Sequence, residues 1–319
     1  MRQQSLFSFT TNAAGLAKET AVVDLFCGIG GFSCGARAAG HRVVLAVDND
    51  EVLLRTHEAN HPECTHVCAD LPSGLDVDAL LPPRAPLRRE GAPWHLHGSP
   101  PCTKLSVMLP VRGPDDVDVA VGLVAWFLDL VHRLRPDSWS FEQVNNEAVR
   151  EALEEMRRRR PRLCDWDLFD AADFGVPQHR KRIIAGTPWL IHNLRERRCA
   201  PSEWRGVRAV MPDPPRPFIR NSLYSRPDPV TGEKKEVRLD EQLRSVDVPA
   251  YTMLASGHAK WADEDGTVLR HLNAAEKALI QSFPASYALP RGRFLALTGV
   301  GNAVPPALAC ALMQPTRHR

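Results

Sequence analysis

No apolar run in this chain reaches the ~18 residues that a bilayer-spanning helix needs, so a membrane protein is not expected. The opening MRQQSLFSFTTNAAGLAKET lacks the charged-then-apolar pattern of a secretory signal and reads as a loose tail over residues 1–20. The eight cysteines show no regular framework, and several fall inside apparent core runs. That excludes a disulfide scaffold and points to reduced thiols in an intracellular setting: cytoplasm or nucleoid, or the nucleus of a eukaryotic host. No internal repeat or low-complexity tract is present, which excludes a solenoid. Net charge is small too, at +2, with 44% hydrophobic and 24% charged residues, the balance of an ordinary globular protein. The 319 residues allow one large domain, or a core domain with a smaller insert.

The small net charge conceals an uneven distribution. Residues 180–220 hold ten Lys or Arg against three acids, net +7, which leaves −5 for the rest of the chain. A basic segment on a mildly acidic body reads as a surface facing a polyanion, against the alternative of a solvated arginine-rich loop.

The first half alternates short apolar runs with helical patterns, as a parallel α/β sheet requires. Strands are expected over 22–26, 42–47 and 138–141, the last ending at Glu142. Helices are expected over 31–39, with Gly40 as terminator, and over 51–60 and 147–160. Ala120, Leu123, Val124, Phe127, Leu128, Val131 and Leu134 recur at helical spacing until Pro136. Two more strands are placed at 166–169 and 182–185. After Gly186 the chain becomes rich in Pro and Arg with little periodicity, and reads as a small irregular second lobe over 187–246. Regular structure returns with a helix over 273–281, where Asn273 and Glu276 have capping-box spacing, and with a last helix from Pro305-Pro306. The expected fold is α/β with a doubly wound, mostly parallel sheet. A nucleotide-binding domain spans 21–186, and a segment over 247–319 returns to it.

Three elements carry chemistry. Val22 to Ser33 reads as strand, glycine-rich turn and helix, followed about 20 residues later by an acid, Asp48. Gly28, Gly30 and Gly31 let the backbone approach a ligand, and Asp48 would accept hydrogen bonds from ribose hydroxyls. The Gly-x-Gly-Gly spacing differs from the Gly-x-Gly-x-x-Gly of dinucleotide enzymes and argues against a pyrophosphate. Pro100-Pro101-Cys102 follows the strand-like run Trp94-His95-Leu96-His97-Gly98, and prolines that fix the backbone make Cys102 a nucleophile candidate. Glu142, in Phe141-Glu142-Gln143-Val144, is the candidate acid. His57, His61, Cys64, His66 and Cys68 crowd one stretch, but their spacing matches no standard zinc finger and no metal site is expected.

Asp24-Leu25-Phe26-Cys27-Gly28-Ile29-Gly30-Gly31-Phe32-Ser33, then Pro100-Pro101-Cys102, Glu142-Gln143-Val144, Gln178-His179-Arg180-Lys181-Arg182, Gln281-Ser282-Phe283-Pro284 and Gly301-Asn302-Ala303-Val304-Pro305-Pro306 occur in that order. Over about 21–185 and 247–313 the chain thereby resembles the 5-cytosine DNA methyltransferase family. The resemblance implies S-adenosylmethionine as cofactor. It puts Phe26 on the adenine, the backbone from Cys27 through Ile29 to Gly31 around the methionine part, and Asp48 with Asn49 at the ribose. Asp70 would meet the adenine amino group and Leu123 its ring, with Leu71, Pro101, Asn302 and Ala303 completing the pocket. Cys102 would add to cytosine carbon 6 while Glu142 serves ring nitrogen 3. Of the two arginines, Arg180 would brace the acid and backbone, and Arg182 would bind the carbonyl of the base.

The same resemblance implies double-stranded DNA as partner, bound by a monomer, with the target base flipped out. Ser106, Gln178, Arg195, Arg197, Arg198, Arg205, Arg208 and the phosphate-contacting Thr252 are the implied DNA contacts. Two positions depart from the family pattern. Thr103, Lys104 and Leu105 follow the cysteine where Gln and, two residues later, Phe are usual, and Gln143 stands where Asn is usual. Two other readings stay open: the same chemistry on a structured RNA, and a catalytically silent relative that binds DNA.

Overall fold

The computed structural model describes residues 19–71, 93–101, 114–221, 238–255 and 259–315, with backbone alone over 114–121. Short runs buried on both faces make its central strands. Ala21–Leu25 (β1) and Trp94–Gly98 (β4) are buried at every position, and Ser138–Val144 (β5) at all but its last. Arg42–Asp48 (β2) and Thr65–Cys68 (β3) extend the sheet on one side. Double-sided burial is what covering helices impose on a parallel sheet.

The helices start and stop where local chemistry allows. Gly31–Ala38 (α1) ends before Gly40, whose φ of +89° lets the Gly40 and His41 amides turn back to the carbonyls of Arg37 and Ala36. Glu51–Asn60 (α2) is capped by Asp50, whose carboxylate accepts from the amides of Val52 and Leu53 at 2.9 and 3.1 Å. Pro114–Leu134 (α3) ends two residues before Pro136, and Glu147–Arg159 (α4) is capped by Asn146.

Asp165–Asp170 (β6) and Lys181–Gly186 (β7) complete a seven-stranded sheet in the order β3-β2-β1-β4-β5-β7-β6. Neighbours from β3 to β5 run parallel, and β7 lies antiparallel between β5 and β6. The strand order reverses between β1 and β4, so a ligand crevice forms at their carboxyl ends. Because side chains alternate along each strand, the two faces bury separate cores. Leu25, Leu96, Phe127 and Phe141 belong to one, and Val22, Phe32, Ala36 and Leu308 to the other.

The second lobe is not irregular as its composition predicts. Phe218–Asn221 (β8), Leu243–Ser245 (β9), Ala259–Ala262 (β10) and Val268–His271 (β11) form a small antiparallel sheet in the order β11-β10-β8-β9. Strands of three or four residues are too short to show an alternating pattern, and this sheet takes strands from both sides of residue 246. Its core holds Val207, Ile219, Val246 and Trp261. Pro188–Glu196 (α5) packs Leu190, Ile191 and Leu194 against the large sheet, whereas Leu239–Gln242 (α6) leads into β9.

Asn273 and Glu276 do form the capping box of Ala274–Ile280 (α7). Arg293–Asn302 (α8) and Pro306–Met313 (α9) follow. The stretch Arg293–Met313 is long and apolar enough by composition to cross a membrane, but it is broken between these two helices and 67% buried in its most apolar window.

Candidate active site

β1 ends in a turn that only unusual backbone angles can make. Phe26, Gly28 and Gly30 have φ of +61°, +52° and +91°. For Phe26 this costs about 1 kcal/mol or more, and it presents the ring to Trp126 of α3, edge-on at 6.0 Å. Gly31 has a different constraint: a Cβ there would lie 2.2 Å from the carbonyl oxygen of Val304. The segment between α8 and α9 therefore packs directly on the turn, and a side chain at residue 31 would push it away. Tyr287 closes the other side, donating from its hydroxyl to the Ile29 carbonyl at 2.6 Å.

Asp48 leaves the end of β2 toward this turn. Its two oxygens accept from the amides of Gly28 at 2.8 Å and Asp50 at 2.9 Å. Burial raises its pKa against these hydrogen bonds. Asn49 donates to Asp70 at 3.2 Å. A cavity of about 490 Å³ opens here, lined by Phe26, Cys27, Gly28, Ile29, Gly31, Asp48, Asn49, Asp70, Leu71, Pro101, Leu123, Asn302 and Ala303. Of the expected cofactor residues only Gly30 is not on its wall. The combination of a close backbone turn, an apolar wall and acids at the far side fits a nucleoside carrying a short charged tail, and so fits S-adenosylmethionine.

Glu142, Arg180 and Arg182 line the same cavity. The antiparallel entry of β7 explains how. In the β5–β7 register Glu142 faces Ile184 and Val144 faces Arg182, which puts Glu142 and Arg182 on one face as diagonal neighbours. Arg182 Nε lies 3.0 Å from Glu142 Oε1, with side chains 13% and 9% exposed. Arg180 is 2% exposed and donates to the carbonyls of Gly301 at 3.0 Å and Asn302 at 3.5 Å. Of the expected roles, Arg180 does brace backbone, but the contact to the acid comes from Arg182. Arg182 holds the acid, and Arg180 ties the closing segment of the pocket to β7. Arg180 lies just before β7, whereas Arg182 is within it, one diagonal step from Glu142.

Gln143, the departure from the usual Asn, has a definite place. It is 2% exposed; its Nε2 donates to the Pro100 carbonyl at 3.1 Å and its Oε1 accepts from the Val144 amide at 2.8 Å. It clasps the chain leaving β4 just before Pro101 and Cys102. Cys102 itself, Thr103, Lys104, Leu105 and Ser106 lie outside the described residues.

The expected DNA contacts are placed unevenly. Gln178 is fully buried, donating to Gln281 and accepting from the Met253 amide at 2.8 Å; a buried amide offers nothing to a duplex, so it is a strut. Thr252 donates to the His179 carbonyl at 2.7 Å. Arg195 pairs with Asp165 and Asp167 at 2.5 and 2.9 Å, and Arg198 pairs with Asp167 at 3.1 Å. Arg197 donates to the carbonyls of Gln314 and Pro315. These three arginines fasten α5 and the C-terminal segment around edge strand β6 and do not line the cavity. Arg208 pairs with Asp247 at the surface, and Arg205 is exposed. Sequence reasoning missed Trp126, Tyr287 and the cavity residues Thr298 and Gly299. The one available signal was Trp126, three residues after Leu123 on the same helix.

Comparison with known proteins converges on the same chemistry. Residues 20–187 match the C-5 cytosine-specific DNA methylase family. Type II methyltransferase M.AplI of Arthrospira platensis is 26% identical over 95% of this chain and 87% of its own length. Type II methyltransferase M.XorII of Xanthomonas oryzae is 32% identical over 51% of this chain and 39% of its own. The fold is similar to that of the S. pombe Dnmt2 methyltransferase, with a TM-score of 0.58 at 16% identity, covering 92% of this chain and 97% of that one. With more than half of its length matched, the chain belongs to the C-5 cytosine-specific DNA methylase family, enzymes that transfer the methyl group of S-adenosylmethionine to cytosine in DNA.

Proposed function

We infer that the chain methylates carbon 5 of a flipped-out cytosine in double-stranded DNA, with Cys102 as nucleophile and Glu142 as the group at ring nitrogen 3. One observation carries this reading. The glycine turn, Pro101 and the Glu142–Arg182 pair line a single cavity, so a cofactor methyl group and a base can meet in it.

Cytosine carbon 5 is too weak a nucleophile to take a methyl group unaided. The Cys102 thiolate adds to carbon 6, and the electrons of the 5,6 double bond make carbon 5 nucleophilic while Glu142, protonated in the complex with the base, donates its proton or a hydrogen bond to ring nitrogen 3. S-adenosylmethionine, when bound, supplies an activated methyl group. Loss of the carbon 5 proton to water and departure of the thiolate from carbon 6 then restore the aromatic ring. Arg182 fixes the Glu142 carboxyl, Arg180 keeps the Asn302 segment against the pocket, and Gln143 holds the carbonyl two residues before the nucleophile. A stacked base is out of reach of a thiol in such a cavity, so the base must be extruded.

The small antiparallel sheet and the segments feeding it, roughly 200–271, serve as the target-recognition lobe. The exposed Arg205 supports this reading, as does the family practice of placing that lobe after the Gln178–Arg182 motif. A DNA substrate and seven free cysteines among the described residues support an intracellular setting.

A duplex carrying 5-fluorocytosine tests the assignment, because fluorine at carbon 5 blocks the final elimination. The wild type should form a covalent adduct and the Cys102→Ala variant none, while both bind cofactor. An alanine variant that still methylates at a comparable rate would remove Cys102 from its role. Adduct formation on RNA and not on DNA would transfer the same chemistry to the other substrate.

A further inference from the structure

Two histidines that the mechanism does not use, His57 and His66, belong to a continuous chain of polar side chains beneath the cofactor turn. Asp24, on β1, is fully buried and accepts from the Ser33 hydroxyl at 2.6 Å. Ser33 Oγ is 3.0 Å from His57 Nε2, and His57 Nδ1 is 2.8 Å from His66 Nε2. Ser33 and His57 are both 0% exposed, whereas His66, on β3, is half-buried and reaches solvent. Four side chains from β1, α1, α2 and β3 thus link a sealed carboxyl to the surface. Among the described residues the second Asp24 oxygen, Oδ1, has no hydrogen-bond partner, so the ionised form rests on the Ser33 donor alone.

We propose that Asp24, Ser33, His57 and His66 form a proton relay that charges and discharges the carboxyl under the cofactor turn, and that the ionised carboxyl favours the cationic sulfonium cofactor over its neutral thioether product. The proposal rests on the S-adenosylmethionine reading of the cavity.

The proton count closes. With Asp24 ionised, Ser33 donates to Asp24, His57 donates from Nε2 to Ser33, and His66 donates from Nε2 to His57 Nδ1. Uptake of one proton at His66 Nδ1 moves one proton along every link. His66 passes its Nε2 proton to His57 Nδ1, His57 passes its Nε2 proton to Ser33, and Ser33 passes its own to Asp24. The end state has neutral Asp24 donating to Ser33, Ser33 to His57 and His57 to His66, so both histidines change tautomer and neither becomes a cation.

The surroundings keep the rest of the site from titrating in its place. Burial lifts Asp24 to about 7, with Asp48 repulsion adding to it and the Ser33 hydrogen bond opposing. Burial lowers His57 to about 2, His61 to about 4, and the His66 pKa as well. His97, beside Asp24 on β4, is held neutral by burial. The Cys27 and Cys64 thiols and the Tyr287 hydroxyl are pushed upward by burial and stay protonated. Arg37 stays beside His61, at 3.2 Å, and adds to the cost of a histidine cation. Asp24 also acts electrostatically on Cys27 and feels Asp48, and both of those residues line the cofactor cavity. A unit charge lost when the sulfonium becomes a thioether is therefore felt at Asp24.

Two measurements on the full chain test this. With 15N-histidine and 13C-aspartate labels, His57 should change from the Nε2–H to the Nδ1–H tautomer as the pH falls from 8.5 to 5.5, in step with a buried aspartate carboxyl. A His57 that keeps one tautomer throughout, or that becomes doubly protonated, overturns the relay. In calorimetry near pH 7, in buffers of different ionisation heat, wild-type protein should release a fraction of a proton on binding S-adenosylmethionine and show about fivefold tighter binding at pH 8 than at pH 6 for a one-unit change in the Asp24 pKa. Asp24→Asn should lose the part of this release and pH dependence that Asp24 contributes; the amino group of the cofactor is common to both proteins and cancels. Equal proton release by both overturns the coupling, and the tautomer titration still reads the relay if the variant does not fold. Failure of the cofactor to bind at any pH would instead refute the reading of the cavity.

Discussion

Replacing Arg182 by Gln should expose how the acid is held. The guanidinium lies 3.0 Å from the Glu142 carboxyl in a site where both side chains are mostly buried. Two unit charges at that distance attract by roughly 5–6 kcal/mol at an effective permittivity near 20. Desolvation of both groups offsets a part, and Glu142 Oε1 does not align well enough with Arg182 to count as hydrogen-bonded, which leaves a coupling of about 2–4 kcal/mol. Urea unfolding of the wild type, Glu142→Gln, Arg182→Gln and the double variant measures this directly. Each single change should cost about 3 kcal/mol and the double change little more than either, because the second removes a charge that the first had stranded. Cofactor affinity should stay within about twofold of the wild type in Arg182→Gln, since the pair lies at the base end of the cavity. Single changes that simply add in the double variant would refute the pairing and return Arg182 to a direct contact with the base.

Other outcomes follow from neighbouring contacts. Gln143→Ala removes the clasp on the Pro100 carbonyl and should lower kcat about tenfold or more with little change in cofactor affinity, read by single-turnover methyl transfer; an unchanged rate would show that the loop needs no such support. Asp48→Ala should weaken S-adenosylmethionine binding by about 1–3 kcal/mol by calorimetry, because it frees the Gly28 and Asp50 amides as well as any ribose contact. Asp24 makes a stability prediction whose sign is fixed. Its pKa is raised from 3.8 to about 7 on folding, so the native state holds the proton longer and stability falls as pH rises from about 4 to about 7. At about 1.4 kcal/mol per unit the loss reaches about 4 kcal/mol at most, and Asp24→Asn should lack it in urea titrations at pH 5 and 8.

Much of the catalytic frame was legible because short-range chemistry sets it. Gly28, Gly30 and Gly31 declare a turn that few other residues can make, Asp50 and Asn273 cap the helices they precede, and Gly40 ends α1. The sequence by itself therefore determined the doubly wound half, the turn after β1 and the candidate acid on β5. It also pointed to the cysteine after Pro101, which lies outside the described residues. It misjudged the second lobe, whose strands are too short to show a period and pack on a separate core that includes Trp261.

The partner of each charged group was decided by tertiary structure alone. Arg180 and Arg182 are two residues apart in one motif, yet the first, just before β7, reaches Gly301, and the antiparallel register of β7 sets the second beside Glu142. Arg195 and Arg198 count toward a basic segment in the sequence, but the carboxylates that neutralise them are on β6, about thirty residues earlier. Asp24, Ser33, His57 and His66 have no common motif and meet only because β1, α1, α2 and β3 pack around one point. Local sequence fixes the angles a backbone can adopt, whereas the pairing of buried charges depends on which distant strands lie side by side, and short-range patterns carry no record of that.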